Sequence, residues 1–135
     1  LQNARWATEF IGNEARQGGG SIGGNSSPGG VHENIYFEIN TADRVWYWRG
    51  EQVGNWDYGE ENVLYRGIDY SPLRPSPVQS LREANNNRQE LANFIVDNPS
   101  GNPIFAFAGG MVAIELTVEK DNRRYTLRTQ VRPRN

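Results

Sequence analysis

Two alternating runs near the end of the sequence constrain the fold more than any other feature. Apolar residues or threonine occupy every second position from 112 to 118 and again from 125 to 131, while Asp121 and Asn122 lie between the runs. A period of two is typical of strands with one buried and one wet face. The sequence therefore predicts a long antiparallel hairpin, whose apolar face needs a second layer to cover it.

The covering layer is predicted at the other end of the chain, where residues 1–17 have helical periodicity. Apolar residues recur at steps of three and four, which places them on one helix face, and Gly18 to Gly20 then end the helix. We expect this stripe to face the sheet, so that Ile11→Asp would place a charge in the core and destabilise the fold by several kcal/mol. The stripe consists of Leu1, Ala4, Ala7, Ile11 and Ala15, with Phe10 at its edge.

Between these ends the sequence predicts short strands separated by long loops. Residues 18–32 form a loop rich in Gly, Ser and Asn, and residues 67–88 a long excursion with one helical turn near Leu81. Residues 89–96 are compatible with either helix or strand. The predicted strands are 35–39 and 44–49, joined as a hairpin by a turn at 41–43, then 62–66 and 104–108. The predicted fold class is α+β, with the N-terminal amphipathic helix packed on antiparallel sheet.

Composition limits the possibilities further. The 135 residues suffice for one domain with its own core. The absence of cysteine excludes disulfides and thiolate metal sites. A formal net charge of -2 gives no overall attraction to nucleic acid or anionic membranes. No run of about 18 apolar residues occurs, so nothing in the sequence is predicted to cross a bilayer.

An acidic loop at residues 50–61 is a candidate metal site. It carries Asp57, Glu60 and Glu61, and Asp69 follows further along the chain. Carboxylates this close could bind calcium, although their spacing differs from an EF-hand loop, and a solvated acidic loop is the alternative. A small hydrolase built on Asp57 would need a cleft and two carboxylates in different environments.

The single histidine gives little support for catalysis. His32 ends the Gly-rich loop beside Glu33, where it is either solvated or a catalytic or metal-binding group. The sequence has no His-x-x-Glu-His motif and no nucleophile elbow. No Gly-rich phosphate loop follows a strand and opens a helix. The prediction is therefore a protein without enzymatic activity and without a cofactor.

Aromatic residues alternate along the strand predicted at 44–49. Trp46 and Trp48 share one face of this strand and Tyr47 lies on the other. Together with Trp56 and Tyr58 they could form a platform on which a sugar stacks. The alternative is that they divide between core and sheet surface.

Arginines are concentrated in the C-terminal hairpin. Of the 14 basic residues only Lys120 is a lysine, and alternation places Arg124, Arg128 and Arg132 on one exposed face. Such a stripe could neutralise DNA phosphates. It could also pair with acidic neighbours on another subunit, or keep the sheet soluble. The hairpin arginines are Arg123, Arg124, Arg128, Arg132 and Arg134.

The two ends of the sequence resemble one known family. The opening segment, residues 1–19 (LQNARWATEFIGNEARQGG), resembles the periplasmic half of the long N-terminal helix of W-type minor pilins, which is typically Leu-Gln-x-x-Ala-Arg-x-Ala, an apolar pair, and an acidic-x-Arg step before Gly. The closing segment, residues 125–135 (YTLRTQVRPRN), is similar to that family's final strand. The middle agrees in order at residues 35–39, 45–47, 63–66, 90–96 and 105–107.

The resemblance implies a function in filament assembly. It implies a single pilin-like headpiece over residues 1–135, with the lower half of the N-terminal helix at 1–17 and a β-rich domain at 33–132. It also implies a short leader and a membrane-spanning apolar helix of about 20 residues upstream, so that the protein would be anchored in the inner membrane of the bacterial cell envelope before it joins a filament. Its partners would be other pilin subunits.

Two alternatives to a minor pilin remain open. J-type pseudopilins of type II secretion share the architecture, but this sequence lacks the Trp-rich segment expected before their penultimate strand. A secreted carbohydrate- or DNA-binding module would use the tryptophan strand or the arginine stripe and would need no membrane helix.

Overall fold

A long helix precedes a series of antiparallel strands. The computed structural model describes residues 2–18, 22–24, 31–39, 43–71 and 76–133. The helices are α1 (Gln2–Gln17) and α2 (Pro77–Asn85). The strands are β1 (Ile22–Gly24), β2 (Asn34–Ile39), β3 (Asp43–Arg49), β4 (Gln52–Val53), β5 (Trp56–Asp57), β6 (Leu64–Asp69), β7 (Gln89–Ala92), β8 (Ile95–Val96), β9 (Phe105–Ala108), β10 (Met111–Lys120) and β11 (Arg123–Val131). The coarse α+β class predicted from the sequence is confirmed.

The strands form two main sheets and one small ribbon. The first sheet has the order β1-β2-β3-β6-β7. In the second sheet β10 pairs with β11 along one edge and with β8 and β9 along the other. The ribbon β4–β5 lies within the predicted acidic loop. All of these pairings are antiparallel, as expected for strands joined by hairpins and local turns.

The segment 89–96, which the sequence left undecided, passes from one sheet to the other. Its first half pairs with β6 and its second half with β10. The change of sheet occurs at Phe94, whose φ of 65° is uncommon for an aromatic residue. Two backbone hydrogen bonds hold this turn, from Ile95 N to Asn62 O (2.9 Å) and from Glu119 N to Phe94 O (2.9 Å). The apolar run is therefore two short strands, which explains why it fits neither period.

The larger of two apolar clusters, which we call the helix core, joins α1 to both sheets. Ala4, Ala7, Ile11 and Ala15 are all buried, and they share a cluster with inward residues of both sheets. The predicted packing of the helix stripe is confirmed for these residues, while Leu1 lies outside the described part of the chain. The sheet residues of the helix core include Ile35, Phe37, Val45, Tyr47, Leu64, Val112, Ile114, Leu116, Val118 and Val131.

An ion pair fixes the edge of α1 against the first sheet. Arg66 on β6 donates from Nε and Nη2 to the two carboxylate oxygens of Glu14, at 2.9 and 2.7 Å. The Tyr47 hydroxyl also accepts from Arg66 Nε at 3.2 Å. Both charged side chains are mostly buried, and a two-pronged guanidinium–carboxylate contact sets orientation as well as distance.

A second cluster, which we call the tryptophan core, lies on the opposite face of the first sheet beneath α2. The sequence predicted only one helical turn here, whereas α2 has nine residues. Ser76 caps it by accepting from Gln79 N (3.2 Å), and Pro77 occupies its first turn. The tryptophan core contains Val31, Trp46, Trp48, Tyr58, Val63, Tyr65, Leu81 and Ala84.

The C-terminal hairpin agrees with its prediction in position. β10 and β11 pair continuously from Val112 with Val131 to Lys120 with Arg123. Asp121 and Asn122 connect them with φ values of 55° and 61°. Positive φ at both central residues defines a type I′ turn, whose twist matches that of the flanking strands.

Several predicted boundaries were wrong by a few residues. The strand predicted at 62–66 is Leu64–Asp69, and the one predicted at 104–108 is Phe105–Ala108. The predicted loop 18–32 contains the strand Ile22–Gly24. The predicted turn at 41–43 lies mostly outside the described residues.

Candidate functional site

The exposed face of α1 carries an unusual aromatic residue. Trp6 is 51% exposed although it belongs to a helix whose opposite side is fully buried. Its ring lies 5.0 Å from the ring of Phe10, which packs against the helix core. Exposed polar residues surround it on the same helix, namely Asn3, Arg5, Glu9, Asn13, Arg16 and Gln17. Tryptophan is enriched where proteins contact one another, so this face is a candidate interaction surface.

The predicted arginine stripe is exposed, but two of its members face carboxylates. Arg124 donates from Nε and Nη2 to Glu119 Oε1 at 3.2 and 3.0 Å. Arg128 Nε lies 3.3 Å from Glu115 Oε1. The register places each pair directly opposite across β10 and β11. These cross-strand pairs reduce the positive charge that the stripe could offer to a phosphate.

A polar loop covers part of the outer face of β10. Ser100 Oγ and Asn102 Nδ2 both donate to the Glu115 carboxylate. These two hydrogen bonds lower the pKa of Glu115, and the bond from Ser100 has the larger effect. Thr117 Oγ1 donates to Asn98 Oδ1 at 2.6 Å, and Thr117 is buried as a result. The middle of β10 is thus covered on both faces, while the outer face of β11 stays exposed.

The tryptophan platform predicted from β3 is not formed. Trp46 and Trp48 are 2% and 0% exposed because α2 covers this face of the sheet. Their indole nitrogens donate to Ser80 Oγ (2.9 Å) and to Tyr58 O (2.8 Å). The prediction of Trp46 and Trp48 as interaction residues was therefore wrong, since neither ring can reach a ligand without displacing α2.

Trp56 is the exception among the aromatics of the predicted platform. It is 45% exposed on the β4–β5 ribbon, and the Arg82 guanidinium lies 4.0 Å from its ring centroid. Tyr58 is buried in the tryptophan core, and Tyr47 is buried in the helix core on the other side of the sheet. The five rings therefore share no common surface.

The acidic loop does not assemble a metal site. Asp57 Oδ1 accepts from Gln52 Nε2 (2.7 Å) and from Gly59 N (2.8 Å), and the Gly59 bond is the main cause that lowers the pKa of Asp57. In the part of the chain that the structure describes, no three acidic or histidine side chains lie close enough to hold a metal ion. The weak calcium candidates Asp57, Glu60 and Glu61 therefore form no such group among the described residues.

Asp69 belongs to a different part of the molecule from this loop. Its carboxylate is buried and accepts from Ser71 N (2.8 Å) and from Ser80 Oγ (2.6 Å). Ser80 in turn accepts from Trp46. Asp69 therefore anchors the tryptophan core to α2 and does not join the acidic loop.

His32 has one carboxylate partner. Its Nδ1 lies 2.8 Å from Glu51 Oε2, and its backbone N–H donates to Glu51 Oε1 at 3.0 Å. The side chain is 80% exposed. This arrangement agrees with the solvated-loop alternative and ties the end of the Gly-rich loop to the strand-connecting segment before β4.

Sequence reasoning missed a polar network that joins the ends of both sheets. Arg49 lies within 2.6 Å of Asp97 and 3.3 Å of Glu33, and it donates to Glu61 O at 2.6 Å. Glu33 also accepts from Ile104 N at 2.9 Å. These partners are far apart in the sequence and follow no local pattern. Trp6 was also missed, although its position off the apolar helix stripe was a usable signal.

Comparison with known proteins identifies no relatives. No protein-family model matches the sequence, and neither a curated protein nor a solved structure matches it. Within the described ranges, neither α1 nor α2 is long and apolar enough to cross a membrane.

Proposed function

We propose that the chain is the headpiece of a minor pilin, a structural subunit that helps to initiate or assemble a type IV pilus or a related filament. The observation that carries this proposal is the division of α1 into two faces. One face is a stripe of small residues buried on the sheets, and the other is polar and exposes Trp6. The similarity of residues 1–19 and 125–135 to W-type minor pilins supports the same conclusion.

The physical logic of a filament fits this division. A stripe of Ala4, Ala7 and Ala15 lets the helix lie close to the sheets, while its outer face stays available to neighbouring subunits. An apolar segment continuing α1 upstream would anchor the protein in the inner membrane and supply the main association energy in a filament. The headpiece would then need only selective, largely polar contacts with other pilins.

A J-type pseudopilin of type II secretion is the alternative within the same architecture, and it predicts the same helix geometry. The secreted carbohydrate-binding module loses its main support, because the rings of Trp46 and Trp48 are buried. The DNA-binding module is weakened by the carboxylates opposite Arg124 and Arg128. We propose a non-catalytic role without a cofactor.

Cysteine crosslinking in cells tests the proposal. The 135 residues contain no cysteine, so Trp6→Cys in the full-length protein adds the only thiol within this segment, on the exposed face of α1. We expect a thiol-specific crosslinker to join it to other filament subunits. Gln52→Cys, exposed on the β4–β5 ribbon, is the matched control and should crosslink much less.

Deletion of the gene provides the second half of the test. A minor pilin is expected to be required for normal filament number, and the unmodified gene should restore it. Wild-type filament number in the deletion strain, together with no crosslink from position 6, would contradict the proposal.

A further inference from the structure

β11 has one edge that pairs with no other strand in the described part of the chain. It is the terminal strand of the second sheet and bonds only to β10. Among the described residues, no backbone hydrogen bond joins β11 to any element besides β10. The strand has nine residues, which is longer than the typical exposed edge that proteins leave unprotected.

The turn geometry determines which backbone groups point outward. In a two-residue type I′ hairpin the residues that flank the turn form a hydrogen-bonded pair, and such pairs recur at every second position. Tyr125, Leu127 and Thr129 therefore bond to β10. The N–H and C=O groups that point to the open edge belong to Arg124, Thr126, Arg128 and Gln130.

A groove runs beside this edge, between β11 and the exposed flank of α1. Thr8 and Gly12 line it from the helix, and Leu127, Thr129 and Val131 line it from the strand. Leu127 and Thr129 are only half-buried, and Tyr125 further along the same face is 41% exposed. The inner face of β11 is thus incompletely covered at its margin.

The rim of the groove is basic although the whole chain is slightly acidic. Arg5 and Arg16 lie along it with the carboxylate of Glu9, while Arg128 on the same rim pairs with Glu115. No ion pair involves Arg5 or Arg16 within the described ranges. This local excess of positive charge, in a chain of net charge -2, selects for an acidic partner.

We infer that the open edge of β11 binds an extended acidic peptide segment of another protein as an added strand. The guest's backbone pairs with the four outward-facing residues of β11. Its side chains alternate, because successive residues of a strand point to opposite faces. Apolar guest residues lie over Leu127 and Thr129, and acidic guest residues are attracted by Arg5 and Arg16 on the rim of the groove. The inference does not depend on the assignment to the minor pilins.

Amide hydrogen exchange measured by NMR tests the pairing residue by residue. The probes are an acetylated and amidated (Val-Glu)4 peptide and its (Val-Lys)4 counterpart. In the free protein the amides of Arg124, Thr126, Arg128 and Gln130 are expected to exchange rapidly, while those of Tyr125, Leu127 and Thr129 are protected. The acidic peptide should then slow exchange of the first set by roughly tenfold or more at saturation.

Three variants separate backbone pairing from charge. Gln130→Pro removes an outward N–H without removing a bond to β10, and proline is tolerated on edge strands. It should weaken binding of the acidic peptide roughly fivefold to tenfold relative to Gln130→Ala. Arg5→Glu should weaken the acidic peptide and strengthen the lysine peptide, which serves as a second measurement if the proline variant does not fold.

Three results would overturn the inference. The outward amides could already be protected in the free protein, which would show that the edge is occupied. Millimolar acidic peptide could leave their exchange unchanged. The lysine peptide could bind the unmodified protein as tightly as the acidic one.

Discussion

The two faces of the first sheet are covered in different ways. The helix core joins α1 to both sheets and is filled mainly by alanine and aliphatic side chains. The tryptophan core lies between this one sheet and α2, and its largest members are aromatic. Most side chains of the helix core need only apolar contacts. Each indole N–H of the tryptophan core, in contrast, needs a specific hydrogen-bond acceptor.

This difference indicates which side of the molecule is available for contacts with partners. α1 is buried on one face only, and its outer face with Trp6 remains available. α2 lies over the tryptophans and removes them from the surface. We therefore expect the side of the molecule that includes α1 and β11 to make contacts with partners, and the side that includes α2 to serve stability.

The largest expected effect is in the helix core. Ile11 is fully buried, and Ile11→Asp combines a lost aliphatic side chain with a buried charge. The cost of about 5 kcal/mol or more is comparable to the whole stability of a small domain. Circular dichroism at room temperature should therefore show an unfolded protein.

Two milder variants keep this test informative. Ile11→Val should cost only about 1 kcal/mol, and Asn13→Asp on the exposed side of α1 should change stability by less than about 0.5 kcal/mol. An Ile11→Asp protein that melts at the temperature of the unmodified chain would refute the packing of α1.

The second prediction concerns the tryptophan core. Trp48→Ala should cost about 3–5 kcal/mol, because it leaves a cavity and an unpaired carbonyl at Tyr58. Trp56→Ala removes the same side chain from a surface position that is 45% exposed, and we expect a loss below about 1 kcal/mol. Urea unfolding of both variants gives the comparison. Equal losses would show that the two tryptophans are not buried differently.

The third prediction compares how closely α1 and α2 approach the strands on which they pack. A Cβ at Gly67 would lie 2.2 Å from the backbone oxygen of Ala84 on α2, so Gly67→Ala must displace that helix. The expected cost is about 1–3 kcal/mol. A Cβ at Gly12 on α1 meets only a side-chain atom of Val131 at 3.2 Å.

Gly12→Ala is the matched control for this contact. Alanine gains up to about 1 kcal/mol of helix propensity over glycine, which offsets the crowding at Val131. Thermal unfolding should therefore change little. A Gly67→Ala protein as stable as Gly12→Ala would contradict the backbone contact between α2 and β6.

The smallest predicted effect is the response to acid. The pKa values of Asp57, near the tryptophan core, and of Glu115, on the outer side of the helix core, are both lowered in the folded protein by hydrogen bonds. A lowered pKa means stability that is present above the unfolded pKa and lost as pH falls through the folded value. The window therefore lies below about pH 4 for Asp57 and below about pH 4.5 for Glu115.

NMR titration of the two carboxyl groups checks this prediction directly. Both should titrate below their ordinary ranges, and Asp57→Asn should flatten the acid side of the stability profile slightly. Ordinary pKa values at both positions would show that the hydrogen bonds from Gly59 and Ser100 are not maintained in solution.

The sequence predicted the helix core well because periodicity reports it directly. The stripe of α1 and the alternation of β10 and β11 each determine which side chains point inward. The tryptophan core was not predicted, because alternation places Trp46 and Trp48 on one face without showing that a helix covers it. The capping residues Ser76 and Pro77 were the available signal for α2.

The candidate site was predicted only in part. The exposed position of the arginines followed from alternation, but their pairing with Glu115 and Glu119 depends on the hairpin register. The calcium candidates of the acidic loop were close only in sequence, and closeness in sequence does not make carboxylates converge. Asp57 is held by local hydrogen bonds, whereas Asp69 lies in the tryptophan core network.

The most direct test of the central claim is the sequence of the gene upstream of residue 1. A minor pilin requires a short basic leader that ends in glycine, followed by about 20 apolar residues, enough to span a membrane, with a glutamate near their start. That result would agree with the assignment of this chain as a filament headpiece. An ordinary cleavable signal peptide, or a second folded domain in that place, would contradict it.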